Sequence, residues 1–381
     1  MSNVFDVIVI GAGIYGSSCS YFLKNQKNKV LLIEKNKVGS AGATGYSRGI
    51  TRVYDPDIEH SIQSYYSILD LIKWKENNYP GIDPYSKTGF LYLLDEHKLP
   101  DLQNDFNFVD KKLYPMEILS SSKLLEKMPW IQKSNNKIGI YEKYGGYGNP
   151  TLTAANFVQG FLSKGGELYE HCDVQRIRSI DNDYWEVQLP EGIVKAKVIL
   201  LTMGALTNKI VGNLPIHTRS VSLTHVLGND DNINIPVVDE VIESYVVPGF
   251  GYSFYTGNPK FEIAEFPEGL NNKRKEIIED AMDRLNQFLK PTIDKKPMNC
   301  IHGYDAYTEI KKPIIQFSPN HKGLYIATGF SGRGYKCCIS VSKSIANEIN
   351  GYIDGKTVSN TVQWRLKLPS DYSAFDPNKI Q

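Results

Sequence analysis

The chain has almost no net charge. Over 381 residues, 43 Lys and Arg face 42 Asp and Glu, so nothing global draws it to nucleic acid or to an anionic membrane surface. Cysteine is scarce. The five present (Cys19, Cys172, Cys300, Cys337, Cys338) are too few and too irregularly spaced for a disulfide framework, and no C-x-x-C pair offers a zinc or redox site; a reducing compartment and no metal are expected. No run of about 18 apolar residues occurs, which excludes an ordinary membrane helix. Met1 leads almost directly into an apolar strand with no basic leader, so the expectation is a soluble, cytoplasmic protein without membrane contact. Internal repeats and low-complexity tracts are also missing.

What is present is concentrated near the two ends. A chain of this length predicts two domains. In "FDVIVIGAGIYGSSCSYFLKNQKNKVLLIEK" a β-branched run precedes Gly11, Gly13 and Gly16 in G-x-G-x-x-G spacing, a helical stretch follows, and a second strand ends in Glu34. Gly11 suits the tight turn, Gly13 the approach of a pyrophosphate and Gly16 close helix–strand packing, with the phosphates at the helix N-terminus. Glu34 suits the hydroxyls of an adenosine ribose and disfavours a 2′-phosphate. The motif does not separate NAD from FAD.

Further along, "KVGSAGATGYSRGITRVYDPD" is a small-residue loop carrying Arg48 and Arg52, followed by a helix over 58–75. The expectation continues with a strand in "TGFLYLLDE", a helical excursion over 101–128, a proline-started helix over 150–164 and strands in "DVQRIRSI", "YWEVQL" and "KAKVILLTMG". Sheet-like segments and one amphipathic helix over 271–289 fill 217–299, and "GLYIATGFSGRGYKCCIS" reads as strand, glycine loop and helix. The last dozen residues are expected to be loosely held. Nucleotide-type elements therefore lie in separated blocks interrupted twice by sheet. The expected fold class is α/β: a discontinuous Rossmann-like domain (1–85, 145–216, 300–366), an inserted sheet-rich α+β cap (86–144, 217–299) and a tail (367–381).

On "VIVIGAGIYGSS", "SRGITRVY", "YGGYGNPTLTAANF", "VILLTMGALTN" and above all "GLYIATGFSGRGYK", the chain resembles the FAD-dependent amine and amino-acid oxidases related to sarcosine, glycine and D-amino-acid oxidases. The resemblance runs over nearly the whole length and is loosest in the cap. It implies FAD, and oxidation of a C–N bond by hydride transfer to an imine that hydrolyses, with O2 as electron acceptor. It implies that the loop of Gly329, Gly332 and Gly334 passes beside the flavin ring. Cofactor contacts are implied at Gly11, Gly13, Ile14, Tyr15, Gly16, Glu34 and Lys35, and then at Ala43, Thr44, Arg48, Val174, Met203 and Gly204.

The same resemblance puts Lys336 where a lysine grips a substrate carboxylate and Arg52 where its arginine partner stands, so the substrate is an amine that carries an acid group. Arg333 is a substrate-side or entrance residue, or simply exposed. Lys260, after a proline turn and opening a cap strand, matches a lysine held over the flavin to assist reaction with O2; a solvent-facing lysine is the plain alternative. Counting back from Gly329 puts Gly303, not Cys300, at the place where some relatives attach FAD, so non-covalent FAD is expected. Ala264 replaces a cap histidine, which argues against sarcosine itself. Two other readings stay open: a tailoring flavoenzyme acting on a ring amine or on a carrier- or protein-bound residue, and an electron-transferring subunit with a partner protein.

Overall fold

A computed structural model describes residues 4–102, 106–132, 136–181, 184–228, 233–271 and 273–375. The fully buried run Val7–Ile10 places the strand Val4–Ile10 at the centre of a sheet covered on both faces. It runs parallel to Val30–Ile33 on one side and to Gly192–Leu201 on the other. Glu167–Tyr169 extends the first edge. At the second edge, the far half of Gly192–Leu201 pairs with Leu324–Thr328 while its near half pairs with the antiparallel strand Tyr184–Leu189, which in turn pairs with Arg176–Asp181. Helices Ile14–Leu23, Pro150–Ser163 and Cys338–Ile353 pack one face through Leu23, Phe157, Phe161 and Ile345. Val174, Trp185 and Val187 cover the other, joined by Leu368 and Ala374.

A second sheet of nine strands, among the described residues, holds the segments that read as cap. His217–Gly228 pairs along its length with Lys295–Tyr307. Its other side meets Ser253–Gly257 and Ile263–Ala264. The sheet continues through Ser244–Pro248, Val237–Asp239, Phe90–Asp95, Lys137–Glu142 and Met116–Leu119. Helix Arg274–Phe288 seals one face with Leu285 and Phe288 against Val226 and Phe254. Lys295–Tyr307 spans the boundary expected at residue 300.

Three local expectations change. The 101–128 segment is not wholly helical: after the short helix Leu99–Leu102 it contributes the strand Met116–Leu119, and only Ser121–Lys127 returns to helix. The strand alternation there was masked by three consecutive non-buried residues at its start. Lys260 does not open a strand. Pro259 has no N–H to lend to a ladder, and pairing starts only at Ile263. The tail over 367–375 is docked, with Leu368 and Ala374 buried against the parallel sheet; the rest of the expected loose segment, 376–381, lies outside the described residues.

Candidate active site

The two glycine turns at the ends of the chain meet. Tyr15 in the first helix stacks on Phe330 with ring centroids 3.7 Å apart, and its hydroxyl donates to the Gly334 carbonyl at 2.8 Å. Beside them lies an elongated cavity of about 800 Å³ between the two sheets. Gly11, Gly13, Ile14, Tyr15, Glu34, Lys35, Ala43, Thr44, Val174, Met203 and Gly204 line it, as do Arg48, Arg52, Gly332, Arg333, Gly334 and Lys336. Gly16 and Gly329 stand behind the wall. A Cβ on Gly16 would lie 1.8 Å from the Gly11 carbonyl oxygen, so this glycine fits the helix to the strand; Gly329 holds a φ of +76° where the strand turns into the loop. Lys35 sends its ammonium to Asp173 at 3.2 Å.

At one end, Glu34 Oε2 accepts from the Ala12 amide at 2.7 Å and Oε1 from Asn36 at 2.8 Å, which fixes the acid at the mouth of the first glycine turn. The helix Ile14–Leu23 starts at Gly13, which has no side chain to cap it; the Ile14 amide donates to Thr44 Oγ1 at 2.9 Å, and the positive end of the helix is turned to the cavity. A glycine turn, a helix start and an acid along one wall fit an adenine dinucleotide. The glycine loop at the far end fits its second half: Gly329, Ser331 and Gly332 all have positive φ, bringing main chain to the cavity surface.

The other end is organised around Asp55, which the sequence reading passed over. Its carboxylate is 1% exposed. Oδ2 accepts from Lys336 Nζ at 3.0 Å and lies 3.4 Å from an Arg52 terminal nitrogen; Oδ1 lies 3.2 Å from Arg333. His60 Nδ1 is 3.1 Å from Oδ2, off the line of a good hydrogen bond, while its ring lies against Trp364. Arg52 and Lys336 are thus brought together, and both are already engaged by an internal acid. The helix Ile58–Ile72 places His60, with Asp57 capping its start, and Arg52 also lies against the rings of Tyr92 and Phe90. Burial works to raise Asp55, yet Lys336, His60 and Arg52 hold it well below the usual carboxylate range. Burial and the neighbouring Lys336 push His60 down to about 3, so it is neutral. Burial, with Arg52 beside it, lowers Lys336 to about 8 against the pull of Asp55. Near pH 7 three cations share one carboxylate, and the surplus positive charge faces the cavity.

The remaining candidates separate. Arg48 lies over the Tyr255 ring at 4.0 Å with its Nε buried and unpartnered. Lys260 reaches the cavity rim, half exposed, 3.7 Å from Asp280 on the helix Arg274–Phe288. Cys300 is buried opposite Thr224 and Ala264 sits on an edge strand opposite Thr218; neither lines the cavity. Asp305, Tyr307, Arg219 and Tyr245 do line it, and none was singled out. For Asp305 and Tyr307 the only sequence signal was an acid among tyrosines in "GYDAY".

A parallel nucleotide-type sheet, a second sheet over the cavity and glycine turns from both chain ends define a flavin-type oxidoreductase fold. Residues 6–348 match the model of the FAD-dependent oxidoreductase (DAO) family, and the chain belongs to that family. It is 23% identical to monomeric sarcosine oxidase from Bacillus sp. strain B-0618, covering 97% of each chain. It is 20% identical to human mitochondrial dimethylglycine dehydrogenase over 85% of this chain, and spans only 40% of that protein's length. Among solved structures, L-proline dehydrogenase from P. horikoshii superposes with a TM-score of 0.82 at 21% identity, covering 96% of this chain and 97% of the other. Glycine oxidase from Bacillus cereus gives 0.76 at 19%, covering 96% and 99%. Among the described residues no helix is long and apolar enough to cross a membrane.

Proposed function

We propose that this protein oxidises a C–N bond in a small amine that carries a carboxylate, such as an amino acid or N-methyl amino acid, using FAD held without a covalent link. The observation that carries the reading is the cationic surplus at Asp55. Arg52 keeps its buried Nε unpartnered, Lys336 uses one donor on Asp55, and both border the cavity beside the glycine loop. An anionic group of the ligand would complete their hydrogen bonding, and Asp55 behind them would hold the forks in place. Gly11, Gly13 and the helix start would take the pyrophosphate, Glu34 the ribose, and the segment from Gly332 to Lys336 the ring side. When bound, FAD supplies the two-electron acceptor for the hydride leaving the carbon next to nitrogen. The tyrosine- and arginine-lined cap wall would exclude bulk water and position the amine. The absence of Cys300 from the cavity lining supports non-covalent binding. Division into a discontinuous FAD domain and an inserted cap belongs to the same proposal.

We take O2 as the electron acceptor, giving hydrogen peroxide, with Lys260 at the rim as the cation nearest to that role. The purified flavoprotein, mixed anaerobically with amino acids and N-methyl amino acids, should lose its flavin absorbance with at least one of them. The decarboxylated amine should leave it unchanged. Bleaching by no carboxylate-bearing amine overturns the proposal and favours a tailoring enzyme acting on a ring amine or a carrier- or protein-bound residue. Readmitted O2 should then reoxidise the wild type at least tenfold faster than Lys260→Met, whose reduction is unaltered; equal reoxidation removes Lys260 from that role, and reoxidation of neither protein by O2 overturns O2 as the acceptor.

A further inference from the structure

The cavity holds a second carboxylate in circumstances opposite to those of Asp55. Asp305 lies near the end of Lys295–Tyr307, directly across from Arg219 on His217–Gly228, so the two side chains start from the same face of the sheet. They do not pair. Arg219 turns away, its guanidinium 3.5 Å from the Phe261 ring centroid and 4.8 Å from that of Tyr307, with a buried, unpartnered Nε. Asp305 turns to the glycine loop. Its Oδ2 accepts from the Gly332 amide at 2.8 Å and its Oδ1 from the Ala306 amide at 2.7 Å. No Lys, Arg or His among the described residues forms an ion pair with it. Burial raises it to about 6, opposed by those two amides. Asp305 is half-buried at the cavity wall, and a ligand that displaces water there makes its negative charge costly unless the ligand itself supplies a counter-ion.

Its position says which ligand group would do so. Gly332, bound by Asp305, immediately precedes Arg333, whose guanidinium is held by Asp55. A surplus of positive charge and an unpaired negative charge therefore flank one dipeptide of the loop, as the carboxylate and ammonium of a zwitterion require. We infer that Asp305 receives the amino group of the substrate, so that the site selects zwitterionic amino acids over simple carboxylic acids. This rests on the amine-oxidation reading above. Each carboxylate oxygen keeps a lone pair beyond the amide bond it already accepts. On productive binding one ammonium proton passes to Asp305: an N–H bond breaks, an O–H bond forms, the carboxylate becomes a carboxylic acid and the nitrogen keeps its electron pair. That pair is what C–N oxidation needs.

Asp305→Asn separates this role from mere tethering, because an asparagine oxygen still accepts from the Gly332 amide. The probes are paired ligands, alanine with propionate and proline with tetrahydrofuran-2-carboxylate, titrated by perturbation of the flavin spectrum. The wild type should prefer the amine-bearing member of a pair. In Asp305→Asn the amino acid should lose about ten- to hundredfold in affinity, with the desamino acid and FAD retention unchanged. Amino-acid binding by the wild type should also weaken as pH falls through about 6, a limb missing in the variant. The charged and titratable groups around Asp305 are Arg219 and His217 on the neighbouring strand, Tyr307 on its own and Arg333 on the loop, and Asp305→Asn leaves all four in place. Equal losses for both members of a pair, or none for either, overturn the assignment. The pairs extend to whichever carboxylate-bearing amine bleaches the flavin; a wild type that responds to no such amine fails the amine-oxidation reading itself, and this inference with it.

Discussion

Asp55 is the residue on which the candidate site turns, and its charge should be measurable in stability. Asp55→Asn leaves Lys336, Arg52 and Arg333 together without a counter-ion, and breaking a buried pair from one side costs about 3–5 kcal/mol. Adding Lys336→Met should restore part of that loss, since it removes the charge left unpaired; denaturant unfolding of the two singles and the double gives the coupling. Strict additivity would mean that the two side chains do not sense each other. The pH dependence has a fixed sign. Because the folded protein holds Asp55 well below its unfolded value, the stability it contributes is fully present above about pH 4 and is lost as pH falls further. The stability gap between wild type and variant should therefore narrow over that acid limb. Asp55 escaped the sequence because "RVYDPD" reads as a polar loop, and the lysine that gives it meaning is 281 residues away. Arg52 and Lys336 were legible as types at the right motifs. Only the fold shows that they converge on an internal acid.

At the scale of elements, the first strand–turn–helix was readable because its constraints are local. Gly11, Gly13 and Gly16 follow one another within a single turn, and each has a different steric duty. Gly16→Ala would drive a methyl to 1.8 Å from the Gly11 carbonyl oxygen and 2.7 Å from Thr202 Oγ1, so the helix must lift from the sheet. A Cβ on Gly13 meets only Thr44 Oγ1 at 3.2 Å, and the residue has an ordinary negative φ. Gly16→Ala should therefore lower the unfolding temperature sharply or prevent folding. Gly13→Ala should unfold near the wild-type temperature when both are stripped of flavin, yet retain FAD at least tenfold less tightly. A Gly13→Ala protein that keeps FAD at wild-type affinity would show that no phosphate approaches there. The second sheet was harder to read because its signals are not local. The strand Met116–Leu119 has meaning only through its partner Lys137–Glu142, and "PKFEIAE" alternates like a strand over residues that Pro259 keeps out of the ladder until Ile263.

At the scale of the molecule, the question is how the second sheet holds the arginine loop against a cavity whose other wall belongs to the first. Glu142 supplies the tie. It ends the strand Lys137–Glu142, is fully buried, and accepts from the amides of Val53 and Tyr54 at 2.7 and 2.8 Å and from the Tyr114 hydroxyl at 2.6 Å. Three donors satisfy one carboxylate, and the two amides are those just past Arg52. Burial raises Glu142, opposed by Tyr114 and the two amides. Its contribution to stability is thus present at low pH and lost as pH rises through the raised value, the reverse of Asp55. Glu142→Gln keeps the shape but turns one acceptor into a donor facing an N–H. That unsatisfied group costs about 1–3 kcal/mol. Because Gly11, Gly13 and Glu34 belong to the other sheet, the variant should keep FAD. Because Arg52 adjoins the freed amides, KM for a carboxylate-bearing amine should rise severalfold, with little change in the rate of flavin reduction at saturation. Titrating FAD and amine separately, in wild type and Glu142→Gln, measures both. Loss of FAD affinity in step with amine affinity would mean that the two sheets hold the cavity as one unit, and that the arginine loop has no independent tie.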